Sequence, residues 1–310
     1  MKKVLIIGAS GFIGYNLSNY LISKNSFRVT TITRRNKTNF KKKPFKNYVI
    51  PDLYTFKNWK SIINNNEIII ISFGLAHKNF VSFNSYKKIN TQLPEKIIKQ
   101  CLKNKVKKII FLSSVSVYGD NSNQFGNLTE NSKCNPSSKY GKSKLIAENT
   151  LIKLCEGKIK YFILRPPMVY GYPLRGNFKI LLKLINLQIP LPFKNIKTKR
   201  SYIYIKNLIH FIYICTLNKS KSGVYLVSDN DDVSINKFVN EIGKAHRNKI
   251  RKFKPGKYLI KILLTFPIIS NLFSKINDPF RLDITQAKNI MNYQPIYNIE
   301  SAIKDMYKKN

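Results

Sequence analysis

The stretch that most constrains this chain is its first fourteen residues. Lys2-Lys3-Val4-Leu5-Ile6-Ile7 is a short apolar run that ends abruptly in Gly8-Ala9-Ser10-Gly11-Phe12-Ile13-Gly14. Such a run bounded by glycines reads as a buried parallel strand, and Leu17, Leu21 and Ile22 beyond it mark an amphipathic helix. Gly8 permits the tight turn, Gly11 lets the backbone approach a pyrophosphate, and Gly14 lets the helix pack closely on its strand. The phosphates would rest on free N–H groups at the helix start, those of Phe12 and Ile13 among them.

Apolar runs then alternate with helical patterns: strands are expected at Phe27–Ile32, Tyr48–Ile50, Glu67–Ser72 and Lys108–Leu112. This spacing predicts an α/β fold, a doubly wound parallel Rossmann sheet. The second strand should end at the adenosine ribose. Thr33-Arg34-Arg35 follows it, so Arg34 is placed either to pair with a 2′-phosphate, favouring NADP, or to open a solvated basic loop. The fourth strand runs into Phe73-Gly74-Leu75-Ala76-His77. Small residues such as Gly74 and Ala76, beside Phe73, would let the ribose and nicotinamide side of a cofactor pass the strand end. His77 stands next to that place as a substrate ligand or a loop hydrogen-bonder. Tyr86 to Lys103 reads as one long helical segment, expected to break near Pro94.

The chemistry lies after the fifth strand, which delivers Ser113-Ser114-Val115-Ser116-Val117-Tyr118-Gly119. Tyr140-Gly141-Lys142-Ser143-Lys144 opens a later helix, and residues four apart share a helical face. A phenol titrates near pKa ~10, and a neighbouring ammonium together with a positive nicotinamide ring would stabilise its phenolate. Tyr140 could then exchange a proton with a substrate hydroxyl, with Ser114 placed to hydrogen-bond the same oxygen and Lys144 beside them.

The glycine spacing, the paired serines and the tyrosine–lysine helix together resemble the extended branch of the short-chain dehydrogenase/reductases. That branch contains nucleotide-sugar 4-epimerases, 4-ketoreductases and 4,6-dehydratases. The resemblance implies further roles. Asp52 matches the adenine-contacting acid, although a turn aspartate is an equal reading, and Asn90 lies on the face turned toward the cofactor strand. Arg165-Pro166-Pro167-Met168-Val169-Tyr170-Gly171 is similar to the passage joining nicotinamide and sugar pockets, with Pro167 on the cofactor side. Asn177, in Gly176-Asn177-Phe178, matches the asparagine that meets the sugar diphosphate, and Arg200, in Arg200-Ser201-Tyr202-Ile203, matches a diphosphate ligand. Both acids usual in that last stretch are replaced, by Ser201 and Asn207. Arg281 matches a second diphosphate ligand or is a surface arginine.

Dehydratases of the branch carry Thr-Asp-Glu where this chain has Ser114-Val115-Ser116. Val115 cannot transfer a proton, so the resemblance implies hydride exchange at C4 of a UDP-hexose or UDP-N-acetyl-hexosamine. With NAD retained the outcome is epimerisation; with exchangeable NADPH it is net ketoreduction. The passages Phe73–His77, Gly176–Phe178 and Ile189–Pro192 are similar to a bacterial subgroup acting in surface polysaccharide synthesis. The resemblance also implies a homodimer through a helix bundle. A Rossmann domain over 1–165, with 200–228 returning to it, and a smaller mixed α/β substrate-binding lid from 166–199 and 229–310 are expected.

Composition bounds the partners. Lys and Arg number 55 against 15 acidic residues, a net charge of +40, spread along the whole chain. That favours anionic substrates such as a nucleotide-diphosphate sugar. Nucleic acid is not expected, although a catalytically silent, RNA-binding member of the fold is the competing class. The four cysteines, Cys101, Cys134, Cys155 and Cys215, sit far apart with no metal-ligand spacing; no metal and a reducing, cytoplasmic compartment are expected. No signal peptide is expected from so short a first apolar run. The longest apolar stretch, Tyr258 to Phe273, is interrupted by Lys261 and Pro267, which suits a packed helix pair or weak attachment to a membrane surface.

Overall fold

A computed structural model describes residues 1–35, 40–76, 81–119, 127–174, 176–218, 221–246, 250–254 and 279–308. At its centre β1 (Lys2–Ile7) is flanked on one side by β2 (Phe27–Thr33) and β3 (Lys46–Val49). On the other side follow β4 (Ile68–Ile71), β5 (Lys108–Leu112), β6 (Lys160–Arg165) and β10 (Gly223–Leu226), completing a seven-stranded sheet. All six strand pairs are parallel, as the alternation of apolar runs and helices predicts.

Successive residues of a strand point to opposite faces, so a sheet covered on both sides needs unbroken apolar strands. Val4, Ile6, Ile68, Ile70 and Ile110 pack into one layer with Leu17 and Leu21 of α1 (Phe12–Ile22) and Phe211 of α7 (Ile205–Leu217). Leu5, Ile7, Ile69, Ile71 and Ile109 pack into the other with α2 (Trp59–Ile63), α4 (Leu93–Leu102) and α5 (Lys139–Cys155). Each fully buried Ile or Leu side chain contributes roughly 1.5–3 kcal/mol to that layering.

Two elements depart from the sequence expectation. β3 begins at Lys46 rather than Tyr48 and ends before Ile50. As the edge strand it is free to be polar, and Asn47 accepts a hydrogen bond from Thr31 of β2 at 2.8 Å, so no apolar alternation marks its start. The helix expected to break at Pro94 does not. α3 (Phe83–Tyr86) runs into a π-helical stretch, Lys87–Gln92, and then directly into α4. Pro94 directly follows the π-helical stretch inside this continuous run and donates no intrahelical bond there.

Outside the main sheet, β7 (Met168–Tyr170) pairs in parallel with β9 (Tyr202–Tyr204), and β8 (Lys199–Arg200) pairs antiparallel with β11 (Val233–Ser234). α6 (Gly176–Asn186), α8 (Ile235–His246), α9 (Thr285–Met291) and α10 (Ile299–Tyr307) surround them. Within 200–228, α7 packs on the main sheet and β10 completes it, while residues 199–204 belong to the small strand pairs. The stretch Tyr258 to Phe273 lies outside the described residues.

Asn207 and Asp229 tie these parts together. Asp229 Oδ1 accepts from the Tyr204 amide at 2.8 Å and from Asn207 Nδ2 at 2.6 Å, and its Oδ2 accepts from the Tyr170 hydroxyl at 2.8 Å. Asn207 Oδ1 accepts from the amides of Ile296 and Tyr297, both at 3.0 Å. An acid at 207 would set two carboxylates against each other; the amide donates instead. Burial pushes Asp229 up to about 7, against the pull of its donors. The folded chain therefore keeps a proton that the unfolded chain, near ~3.9, has already lost, so stability falls as pH rises through that window and is flat above it. Asp229→Asn has no charge to bury, and Tyr170 can turn to accept from the new amide. The variant should gain at most about 4 kcal/mol over the parent near pH 8 and little near pH 4. Urea unfolding at the two pH values measures this, and an equal change at both would refute it.

Candidate active site

The glycine-rich turn joins β1 to α1 tightly. Gly8 has φ of +95°, and a Cβ on Gly14 would lie 2.3 Å from the Gly8 carbonyl oxygen, so α1 can start this close to β1 only without a side chain there. Gly11 occupies the N-cap with no side-chain cap, leaving the amides of the first turn, Phe12 and Ile13 included, to whatever anion approaches. A backbone cradle of this form fits a dinucleotide pyrophosphate.

Beyond β4, Phe73 and Leu75 are half-buried and Gly74 and Ala76 are exposed. The π-helical stretch turns Asn90 toward them. Its Oδ1 accepts from the Leu75 amide at 2.8 Å, and its Nδ2 donates to the Leu75 carbonyl and the Ser143 hydroxyl, both at 3.1 Å. Thr91 donates to the Ser143 carbonyl at 3.1 Å. Asn90 thus ties the loop after β4 to the first turns of α5, which carry Tyr140 and Lys144.

Ser114, Tyr140 and Lys144 come together at the carboxyl end of the sheet. Ser138 caps α5 by accepting from the Gly141 amide at 3.0 Å. A Cβ on Gly141 would fall 2.2 Å from the Ser116 carbonyl oxygen, so the start of α5 presses on the turn Val115–Val117 that follows Ser114. The Ser114 hydroxyl hydrogen-bonds the Tyr140 side chain, donates to Ser116 Oγ at 3.1 Å and accepts from the Ser116 amide at 3.2 Å. Tyr140 is half-exposed as a residue while its hydroxyl lies deep; burial pushes the phenol up to about 12, Ser114 opposes this and Tyr86 adds to it. The Tyr86 ring lies 6.2 Å from the Tyr140 ring, and its hydroxyl donates to the Ala76 carbonyl at 3.1 Å.

Lys144 is 4% exposed. Its ammonium donates to the Leu112 carbonyl at 2.8 Å and stands 4.8 Å from the Phe111 ring centre. Burial brings it down to about 8, and Glu148 one turn further along opposes this. Both charges of the pair are therefore held down by desolvation in the chain alone, and Lys144 does not outweigh the burial of Tyr140. Lys144 also reaches the loop: a Cβ on Gly74 would sit 3.4 Å from Nζ and 3.1 Å from Asn90 Oδ1.

Behind this cluster lies a buried ion pair without an expectation from sequence. Arg165 Nη2 donates to Glu148 Oε2 at 2.6 Å, and Nε reaches both Glu148 oxygens at 3.1 and 3.2 Å. Ser113 donates to Glu148 Oε1, and Arg165 Nη1 donates to the Tyr118 hydroxyl at 2.6 Å. The four-residue step from Lys144 to Glu148 was the available signal, since it places an acid on the face of α5 that carries Tyr140 and Lys144.

The remaining predicted residues divide. Arg34 is exposed just beyond β2. Asp52 is exposed, accepts from the Tyr54 amide at 2.8 Å and is held below the usual carboxylate range chiefly by that bond, the behaviour of a turn aspartate. Pro167 follows Pro166, whose carbonyl accepts from the Val115 amide at 3.2 Å, so this passage abuts the serine turn. Arg200 bridges to Phe280, with its guanidinium 5.2 Å from that ring, and this brings Arg200 and Arg281 into one neighbourhood. Ser201, in the place of a family acid, donates to Asp232 Oδ1 at 2.5 Å and accepts from the Leu282 amide at 2.9 Å. His77 lies outside the described residues; Asn177 falls in the first turn of α6, with its side chain outside them. Among the described residues no group of three or more His, Cys, Asp or Glu could hold a metal ion, and no helix is long and apolar enough to cross a membrane.

Fold and site together define an enzyme of the dinucleotide-binding α/β class. The model of the NAD dependent epimerase/dehydratase family matches residues 4–228, and the chain belongs to that family. NAD is accordingly its cofactor. The chain is 28% identical to the UDP-glucose 4-epimerase of Vibrio cholerae, over 98% of this chain and 94% of that protein. It is 29% identical to the N-acetyl-alpha-D-glucosaminyl-diphospho-ditrans,octacis-undecaprenol 4-epimerase of Escherichia coli O157:H7, over 80% of this chain and 73% of that one. The crystal structure of UDP-glucuronic acid 4-epimerase from Bacillus cereus in complex with NAD superposes with a TM-score of 0.81 at 20% identity, covering 99% of this chain and 97% of its own.

Proposed function

We propose that this protein is an NAD-dependent UDP-sugar 4-epimerase, acting on a UDP-hexose or UDP-N-acetyl-hexosamine in the cytoplasm, in surface polysaccharide synthesis. The observation that carries the reading is the convergence of Ser114, Tyr140 and Lys144 at the strand ends beside the glycine cradle. The cradle residues Gly8, Gly11, Phe12, Ile13 and Gly14 would hold the pyrophosphate, and Lys144 the nicotinamide ribose, with Phe73, Gly74, Ala76, Asn90 and Pro167 along the cofactor's path. When bound, NAD supplies the hydride acceptor and a positive charge.

The chain's own residues handle the proton. Ser114 and Tyr140 share the sugar's C4 oxygen, and Tyr140 takes its proton and later returns it. Burial keeps the tyrosine a phenol in the chain alone, so the base forms only in the loaded site. Val115 offers no acid or base, which disfavours loss of water across C5 and C6. Arg200, Arg281, Asn177 and His77 are the proposed ligands of the sugar nucleotide, Asn177 and Arg281 lying on the portion formed by 166–199 and 229–310.

Arg34 supports a second reading, a net NADPH-dependent 4-ketoreductase of a UDP-4-keto-6-deoxy-hexosamine. One experiment separates the two. The purified protein is denatured, the released nucleotide identified, and the native protein incubated with UDP-glucose and UDP-N-acetylglucosamine without added cofactor. Tightly held NAD and inversion at C4, followed by proton NMR, are expected. An empty site that binds and exchanges NADPH, with no inversion, would replace the epimerase by the reductase.

A further inference from the structure

α6 is apolar on two sides. Phe178, Leu181, Leu182 and Ile185 face the core and are buried. Ile180 and Leu187, two turns apart, lie on the outside, with Leu184 between them partly buried against the core. Ile180 is 45% exposed and Leu187 59%, and Ile189, just past the helix, is 42% exposed. Tyr172, just before the helix, is exposed as well. A helix apolar on both sides needs a second apolar phase against its outer stripe.

The charges around the stripe select that phase. Lys179, Lys183, Lys194 and Lys197 are all exposed. The chain contains no Asp or Glu from Gly157 to Ser228, nor from Ile242 to Asn277. A second copy seated here would set these lysines against their own equivalents with no acid from either stretch to pair them, which is repulsive. Nucleic acid would match the lysines but leave the isoleucines and leucine unused, because phosphates take up only charge and hydrogen bonds. A bilayer with anionic headgroups satisfies both: the ammonium groups reach the phosphates while their stems and the apolar stripe enter the acyl boundary.

We propose that the outer face of α6 docks this protein peripherally on an anionic lipid bilayer. Gly176 and Asn177, the segment expected to meet a sugar diphosphate, open the same helix. The docking itself does not depend on the catalytic reading, because none of the stripe residues belongs to the cradle or to the serine–tyrosine–lysine cluster.

The test is flotation of the full chain with vesicles of phosphatidylcholine alone or mixed with phosphatidylglycerol, at physiological salt. The parent should float with the mixed vesicles and remain in solution with the neutral ones. The triple variant Ile180→Ser, Leu187→Ser, Ile189→Ser should lose about tenfold or more of the bound fraction, with an unchanged far-UV spectrum and unfolding midpoint. Lys179→Glu with Lys183→Glu should lose it too, by removing the attraction. Failure of the parent to float on the mixed vesicles overturns the proposal. So does equal flotation of the triple variant, which would move the binding elsewhere on the basic surface. Loss in that variant of a lipid-free dimer, seen by light scattering, would make a second copy the occupant and likewise overturn it.

Discussion

Tyr140→Phe should lower turnover by about a hundredfold to ten-thousandfold, the range that a positioned proton-transfer group contributes. The substitution removes one oxygen and nothing else. The ring keeps its place against Tyr86, and Ser114 keeps its bonds to Ser116. Stability and the amount of nucleotide recovered with the protein should therefore match the parent, which separates lost chemistry from lost folding. The pH profile gives a second readout. Turnover that needs the phenolate should rise with pH up to the value that the phenol takes in the loaded site, which the nicotinamide charge sets below the raised value of the chain alone. The residual activity of Tyr140→Phe should lack that limb. Full turnover in the variant would remove Tyr140 from the mechanism.

The parts of the site that are local in sequence were legible there. The cradle is one strand, one turn and one helix; Tyr140 and Lys144 share a helix, and paired glycine and serine signals flank them. The parallel sheet was legible because strands buried on both faces must be apolar throughout, and Ile68–Ile71 is nothing else. What remained hidden depends on contacts distant in sequence. Asn90 sits at the loop because a π-helical stretch shifts the helix ahead of Pro94, and no residue pattern announces that extra step. The bounds of β3 were displaced because an edge strand need not alternate. The electrostatic expectation for Tyr140 was the least legible. It rested on Lys144 together with a positive nicotinamide ring; in the chain alone desolvation, which depends on the whole surrounding fold, acts in the opposite direction on both groups.

The same dependence on distant contacts makes Glu148 the residue whose loss should cost most in stability. Glu148→Ala removes the acceptor for three bonds from the Arg165 guanidinium and for Ser113, leaving an uncompensated charge beside β5 and β6. Breaking a buried pair from one side costs about 3–5 kcal/mol, a large share of a stability of roughly 5–15 kcal/mol. Glu148→Gln keeps the shape and an acceptor for Ser113 and should cost less. Replacing both partners, Glu148→Leu with Arg165→Met, leaves no charge behind, so the double variant should recover much of the single variant's loss. Urea unfolding of the four proteins measures all three steps, and a Glu148→Ala protein within about 1 kcal/mol of the parent would refute the argument. The strand ends bearing Ser113 and Arg165 also fix the turn that presents Ser114, because the Ser113 amide donates to the Leu164 carbonyl at 2.8 Å and the Val115 amide to that of Pro166 at 3.2 Å. Glu148→Ala should therefore reduce turnover together with stability, whereas Tyr140→Phe reduces turnover alone, and that contrast distinguishes the group that moves the proton from the pair that holds the site in shape.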